Sequence, residues 1–563
     1  MLHSRPSISA AEPYDLVVCG GGITGAGIAR DAAHRGLRVA LVEKRDFGSG
    51  TSSKSSKLVH GGLRYLERYE FKLVFEGTNE RALQMRKAPH LVRPIPFLFP
   101  IFKSNKPGLA VVDIGLWLYD GLAMFKNQLH RTYRNGKKVL AKEAALREDG
   151  LVGGIEYVDC LTDDARLTLE NVLDARTLGA DTFSYTAVVG MERDARGRVN
   201  GVRVRDQFTG AERVLPTRLA VVAGGPWTDE ILGTAGVKLD RKLLRPTKGV
   251  HIVVDHAKIP ITRAITFTTR DKRVAFAIPW VERTVIGTTD TDFQGSPDDV
   301  AADAADVKYL CDAANLLFPA AHLGPEDVIA TWAGLRPLIA PAEAARESDV
   351  SREHEIFARD EGIVFIAGGK LTTYRRMAKE TVDKAVEVLN DRGDDIFDGR
   401  VIKKCRTKNR SLPGAQGLES HTQAGVRAVA ERLASSAGLE PRIAEHLSQT
   451  YGVRAESVVL RGVADKALLS RIDPELPYIW AELDHAVDVD LARTLDDVLM
   501  RRIPLGLRAR GQGLAVLDRI IERMGAKLQW DPAEKARQRA AYEQIVGATT
   551  RFRGAVGAAR VGG

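Results

Sequence analysis

Cysteine is scarce: a chain of 563 residues contains four, Cys19, Cys160, Cys311 and Cys405. No two form a CxxC pair, which argues against a disulfide framework, a structural zinc site and an iron–sulfur cluster built on local cysteine motifs. No metal site is expected. A reducing, cytosol-facing compartment fits this cysteine usage. The chain also lacks an unbroken apolar run of about 18 residues, so no spanning helix is expected. Its richest apolar stretch, Leu109 to Phe125, is interrupted by Asp113 and Asp120. The segment Met1 to Pro13 has no apolar h-region, and no secretory signal is expected. There is no dense basic block and no internal repeat. The formal net charge of +9 is mild for this length. It favours phosphate compounds or an anionic lipid surface over nucleic acid.

What is present implies two to four domains, because the chain is too long for one compact core. Leu16-Val17-Val18-Cys19 is a short apolar run ending in glycines and reads as a buried parallel strand. A helix is expected from about Thr24 to Arg35, closed by Gly36, and a second strand from Arg38 to Glu43. Further strand-like runs ending in glycine come much later, at Leu219–Ala223 and Ile363–Ala367. The nucleotide-binding domain is therefore expected in separated segments, 14–90, 151–230 and 330–395. Val250–Val254 and Arg283–Thr288 read as strands of a different, mainly antiparallel sheet. That sheet is assigned to a substrate domain of residues 91–150 and 231–329. From about residue 400 the apolar spacing turns helical, with Val426, Val429 and Leu433, then Leu491, Leu495, Val498 and Leu499. Leu517, Ile520, Ile521 and Met524 follow, with Gly525 as a stop. A helical domain over 400–548 and a loose tail over 549–563 are expected.

Gly20-Gly21-Gly22-Ile23-Thr24-Gly25 fits G-x-G-x-x-G between an expected strand and an expected helix. Glycines permit the tight turn and close backbone approach to a pyrophosphate, and the helix N-terminus supplies N–H donors. Glu43 follows Gly25 by 18 residues. A carboxylate there suits ribose hydroxyls and repels the 2′-phosphate of NADP. This context specifies a dinucleotide without separating FAD from NAD.

The segment Thr51-Ser52-Ser53-Lys54-Ser55-Ser56-Lys57-Leu58-Val59-His60-Gly61-Gly62-Leu63-Arg64-Tyr65-Leu66 resembles the signature of FAD-dependent glycerol-3-phosphate dehydrogenases. Asp163-Asp164-Ala165-Arg166-Leu167, Gly225-Pro226-Trp227, Lys248 to Val254 and Ile286-Gly287-Thr288-Thr289-Asp290 match in order. So do Gly334-Leu335-Arg336-Pro337-Leu338 and Gly368 to Arg375. The resemblance covers residues 14 to 540. It implies an α/β fold: a glutathione-reductase-like FAD-binding domain, an inserted, mainly antiparallel substrate domain and a C-terminal all-α domain. It implies oxidation of sn-glycerol 3-phosphate to dihydroxyacetone phosphate, with electrons passing from FAD to a quinone. FAD contacts are expected from Gly20, Gly22, Gly25, Glu43, Thr51, Ser52, Ser53, Ser56, Gly225, Gly369, Lys370, Leu371 and Thr372. The chain departs from the family pattern at Val222-Ala223-Gly224, where relatives commonly read Asn-Ala-Thr, and at Val250, where they often carry Ser.

Arg64, Arg352 and Lys370 match positions that hold the substrate phosphate, with Tyr65 adding a hydroxyl. Arginine grips two phosphate oxygens at once. Hydride loss from C2 must be coupled to loss of the hydroxyl proton. His251, in an apolar strand, is the expected base, and His60, beside Gly61-Gly62, is a second candidate. Arg336 is expected to stabilise the developing alkoxide. Backbone N–H groups at Gly368-Gly369 suit negative charge on the flavin. With no iron–sulfur relay and no second nicotinamide motif, the electrons are expected to reach a lipid-soluble quinone. The protein is then expected in the cytoplasm, on the inner face of the cell membrane, attached peripherally or monotopically. Leu109–Phe125, followed by Arg131, Arg134, Lys137 and Lys138, is a candidate contact, and packing inside the substrate domain is its alternative reading. A homodimer is admitted. Competing readings are a glycerol-3-phosphate oxidase, another flavin enzyme acting on hydroxy or amino acids, and a flavin-binding interaction protein without catalysis. The oxidases carry an insertion not seen in this chain, and three or more cations exceed what a carboxylate substrate needs.

Overall fold

The computed structural model describes residues 12–63, 66, 69–125, 129–340, 353–393 and 396–553. Two sheets and a helical unit make up the fold. The first sheet runs His354–Arg359, Ile363–Gly368, Glu212–Val222, Tyr14–Cys19, Val39–Val42, Asp181–Phe183. Along this path all neighbours are parallel except the first pair, and Thr186–Arg193 and Val199–Asp206 extend Glu212–Val222 as antiparallel strands. Alternate residues of each strand go to opposite faces. Leu16, Val18, Leu219, Val221, Val364 and Ile366 face one core. Val17, Cys19, Ala220, Val222, Ile363 and Phe365 face another. Both faces are covered, which is why these strands read as continuous apolar runs. The helix Ile23–Arg35 follows the first strand and ends at Gly36 with φ 93°.

The second sheet has ten strands, and its centre is Leu244–Asp255 between Arg283–Gly287 and Val328–Ile339. It is antiparallel except where Ala264–Thr268 pairs with Arg93–Phe102. Two expected boundaries move. Leu151–Leu161 pairs along its length with Arg93–Phe102, so the first sheet's polypeptide resumes after this strand and not at 151. Val328–Ile339 likewise pairs with Leu244–Asp255, so residues 330–339 belong to the second sheet. Local apolar pattern marks a strand but does not say which ladder takes it.

Beyond residue 405 the chain is helical, around a core of its own. Three expectations there are corrected. Leu491 has φ 64° and Asp497–Arg502 is a wide π turn, so the spacing Leu491–Leu499 is not one regular helix. Gly525 does not stop its helix, which runs Leu517–Leu528 and ends at Gln529 with φ 58°. A Cβ on Gly525 would stand 2.7 Å from Cε of Lys535, the far end of a side chain on the next helix. The tail does not loosen at 549: the Thr549 carbonyl accepts from Thr331 at 2.8 Å, and Phe552 is buried in the second sheet's core.

The helix Leu109–Leu122 is divided along its length. Leu116 and Tyr119 are buried, whereas Ile114 is 70% and Trp117 53% exposed. The expected packing of this stretch inside the substrate domain is therefore met by one face only.

Candidate active site

The cleft opens past the C-terminal ends of the parallel strands, the usual ligand position for such sheets. Gly20, Glu43, Ala223 and Gly369 line it there, and Gly249, His251, Gly334 and Arg336 line it from the second sheet. Gly20 has φ 114°, and a Cβ on it would stand 2.4 Å from the Ala223 carbonyl oxygen. A Cβ on Gly25 would fall 1.8 Å from the Gly20 oxygen. Gly25 is thus required for strand–helix packing and does not line the cleft. Ser53 does not line it either; its hydroxyl faces the Gly50 oxygen at 3.5 Å.

The remaining expected cofactor residues, Gly20, Gly22, Glu43, Thr51, Ser52, Ser56, Gly225, Gly369, Lys370, Leu371 and Thr372, all line it. Glu43 accepts the Gly21 N–H at 2.7 Å and the Arg45 N–H at 2.9 Å. Ser52 Oγ accepts the Ile23 N–H at 2.9 Å, at the start of the helix. Thr51 Oγ1 donates to the Leu335 oxygen at 2.6 Å, tying the loop to the strand that carries Arg336. Thr372 Oγ1 and the His60 backbone exchange two hydrogen bonds of 3.2 Å, which fixes His60 beside the cleft.

Arg336 and His251 meet because of strand register. Leu244–Asp255 and Val328–Ile339 pair Thr247 with Arg336, Gly249 with Gly334 and His251 with Trp332. Alternation puts all six side-chain positions on one face. Gly249 leaves the room Arg336 needs: a Cβ there would stand 2.7 Å from Nη2. The guanidinium donates to Asp290 Oδ1 at 2.9 Å and to Thr288 Oγ1 at 3.2 Å. His251 is stacked on Trp332, with ring centroids 5.1 Å apart, and its Nε2 lies 2.8 Å from Ser56 Oγ. Its Nδ1 has no hydrogen-bond partner among the described residues. Burial, then the charges of Arg336 and Lys57, pushes its pKa down to about 3. The ring is neutral at physiological pH.

Arg64, Tyr65 and Arg352 lie outside the described residues. The fold brings in residues that had no expected role. Lys57 is buried, bonds Asp164 Oδ1 at 2.7 Å and lies 5.3 Å from the Trp332 ring centre. Asp164 Oδ2 accepts from Ser55 Oγ at 2.7 Å, so this carboxylate anchors the loop that carries Ser56. Both sit in quoted motifs, but no local signal pairs them across 107 positions. Lys54 also lines the cleft.

A glycine turn opening a helix, an acid at the end of the next strand and a polar loop running toward a His–Arg face define an FAD-type oxidoreductase. The model of FAD-dependent oxidoreductases matches residues 15–384, and that of the C-terminal domain of alpha-glycerophosphate oxidase matches residues 405–535. Aerobic glycerol-3-phosphate dehydrogenase of Staphylococcus aureus is 38% identical over 526 residues, 93% of this chain and 92% of the relative. The chain belongs to the aerobic glycerol-3-phosphate dehydrogenase family. The crystal structure of glycerol-3-phosphate dehydrogenase from Bacillus halodurans complexed with FAD superposes with a TM-score of 0.77 at 32% identity, covering 96% of each chain. L-alpha-glycerophosphate oxidase of Mycoplasma pneumoniae shares the fold, with a TM-score of 0.53 at 15% identity. The residues present fit FAD: side chains at Gly20 and Gly25 would fill or distort the cradle, and the helix N-terminus faces the cleft. The protein is an FAD-dependent oxidoreductase.

Proposed function

We propose that the protein oxidises sn-glycerol 3-phosphate to dihydroxyacetone phosphate and delivers the electrons to a membrane quinone. The observation that carries this reading is the shared face of His251 and Arg336 in the cleft that the cofactor loop also lines. FAD, when bound, supplies the hydride acceptor. Lys370 holds the substrate phosphate, joined by Arg64, Tyr65 and Arg352. Arg336 stabilises the alkoxide that forms as the C2 hydroxyl loses its proton. His251 takes that proton. At rest burial, and then its cationic neighbours, make it a weak base, and an arriving phosphate dianion offsets the cationic part, raising its basicity when substrate is in place. His60, held through its backbone to Thr372, is the second candidate base.

The apolar face supports the acceptor. Val111, Ile114, Trp117 and Leu118 project from Leu109–Leu122, with Phe125, Tyr69, Phe71 and Phe75 also exposed. Arg131, Arg134, Lys137 and Lys138 are exposed just beyond. Apolar anchors beside basic residues suit peripheral or monotopic attachment to an anionic bilayer. Among the described residues no helix is long and apolar enough to cross a membrane. On the reverse of the same helix, Tyr119 donates to Asp159 at 3.1 Å, and Asp159 accepts the Gly61 N–H at 3.2 Å, next to His60. One helix, about 10 Å across, separates the cofactor-side loop from the apolar face. The test of the reaction is anaerobic titration of the yellow holoprotein. sn-Glycerol 3-phosphate should bleach the flavin band, and hydroxy or amino acids should not. Bleaching by an amino acid alone would replace this reading with the amino-acid oxidoreductase alternative.

A further inference from the structure

Asp113 and Asp120 interrupt the most apolar stretch of the chain, and the fold gives both to one histidine. His130 Nδ1 lies 2.7 Å from Asp120 Oδ2, and Nε2 lies 3.2 Å from Asp113 Oδ1. The His130 backbone N–H also donates to Asp120 Oδ2, at 3.2 Å. Thr132 Oγ1 donates to Asp113 Oδ1, and the Arg134 guanidinium stands 4.0 Å from Asp113 Oδ2. Trp117, on the exposed apolar face, covers the cluster edge to face, 4.8 Å from the His130 ring centre. His130 and Asp120 are buried, with side chains 2% and 5% exposed, while Asp113 at 19% reaches the surface.

This arrangement sets two carboxylate acceptors against one imidazole. A neutral imidazole has one N–H, but both ring nitrogens here face carboxylate oxygens. Satisfying both contacts requires a second proton, on the ring or on a carboxyl. Buried ionisable groups such as His130 and Asp120 are costly unless paired, as they are here. Quinone chemistry supplies the need: quinone plus a hydride equivalent plus one proton gives quinol. Substrate oxidation provides the hydride equivalent through the cofactor, and the proton of the C2 hydroxyl leaves at the other site. One proton must therefore be delivered at the quinone.

Resting on the quinone reading above, we propose that Asp113, His130 and Asp120 are the proton-delivery site for a quinone docked against Trp117. An O–H bond forms on the quinone oxygen as Asp113 gives up its proton. His130 reprotonates Asp113, Asp120 holds the ring, and bulk water restores the cluster along its exposed edge at Arg134. The reaction consumes one proton here for each one released at the substrate.

The experiment uses FAD-loaded protein on phosphatidylglycerol vesicles, with a short-chain benzoquinone and, separately, ferricyanide, which takes electrons without protons. Asp113→Asn should lower quinone turnover by roughly tenfold or more, with a loss that deepens as pH rises. Ferricyanide turnover should stay within about twofold, as expected where only a proton-transfer group is missing. Formate, a small diffusible acid, should restore part of the quinone rate, and co-sedimentation with vesicles should not change. Asp113→Glu should keep most of the quinone rate. His130→Gln, a second variant, should reproduce the quinone-specific defect. The proposal is overturned if Asp113→Asn and His130→Gln retain quinone turnover, or if both acceptors fall together without rescue by formate. A wild type that reduces ferricyanide but no quinone sinks the acceptor reading itself, and this inference with it.

Discussion

His251 and His130 are both buried, each beside a tryptophan ring, yet their surroundings differ in sign. No carboxylate bonds His251; a serine hydroxyl meets one nitrogen, and burial, then the charges of Arg336 and Lys57, presses its pKa down to about 3. His130 is clasped by two carboxylates, with a threonine hydroxyl on one of them. The first faces cations and no carboxylate; the second faces a carboxylate at each ring nitrogen. Burial is common to both rings, so the nearest charges are what distinguish the two sites.

The sharpest way to break this comparison is to remove the cation on the His251 side. Arg336→Ala should cut substrate-driven turnover by roughly 10²–10³-fold, as for other positioned electrostatic groups. The visible band of bound flavin should stay intact. Near-normal turnover would take Arg336 out of the chemistry and leave the low basicity of His251 without a purpose. A gentler disturbance moves the same guanidinium without deleting it. Gly249→Ala places a methyl 2.7 Å from Nη2, so Arg336 must shift. A displacement of this kind should cost roughly 10- to 100-fold in kcat/KM. Wild-type kinetics in that variant would mean that Arg336 tolerates more than one position.

The smallest effect is on stability. His251 titrates at about 3 when folded, against about 6.5 when unfolded. Between these values the unfolded chain holds a proton that the folded protein refuses, so stability falls as pH drops below about 6.5. At pH 5 this difference amounts to roughly 2 kcal/mol. His251→Asn should therefore lose less stability than the parent between pH 7 and pH 5 in denaturant titrations. Parallel losses would place the ring in a less hostile setting than the geometry indicates.

Legibility in the sequence followed distance along the chain. The glycine turn, its flanking strand and helix and Glu43 are contiguous, and each reads by its own rule. His251 and Arg336 were legible as motif residues, because their flanks matched a known pattern. Their meeting was not, since it depends on the register between Leu244–Asp255 and Val328–Ile339. Lys57 and Asp164 went without roles because a buried ion pair across 107 positions leaves no local trace. Gly525 misled for a related reason. Glycine marks helix ends but also occurs within helices, and here the helix runs on to Leu528.

By itself the sequence determined the dinucleotide-binding turn, the two kinds of sheet, the helical C-terminal region and the family, since these rest on short-range periodicity and contiguous motifs. Tertiary structure alone decided the ladder that Leu151–Leu161 joins, the solvent-facing side of Leu109–Leu122 and the convergence of Asp113 and Asp120 on His130. Asp113 and Asp120 look in sequence like two flaws in an apolar run. They become a site because the chain turns back after the helix and sets His130 between them, and a contact made by chain reversal carries no periodicity to read.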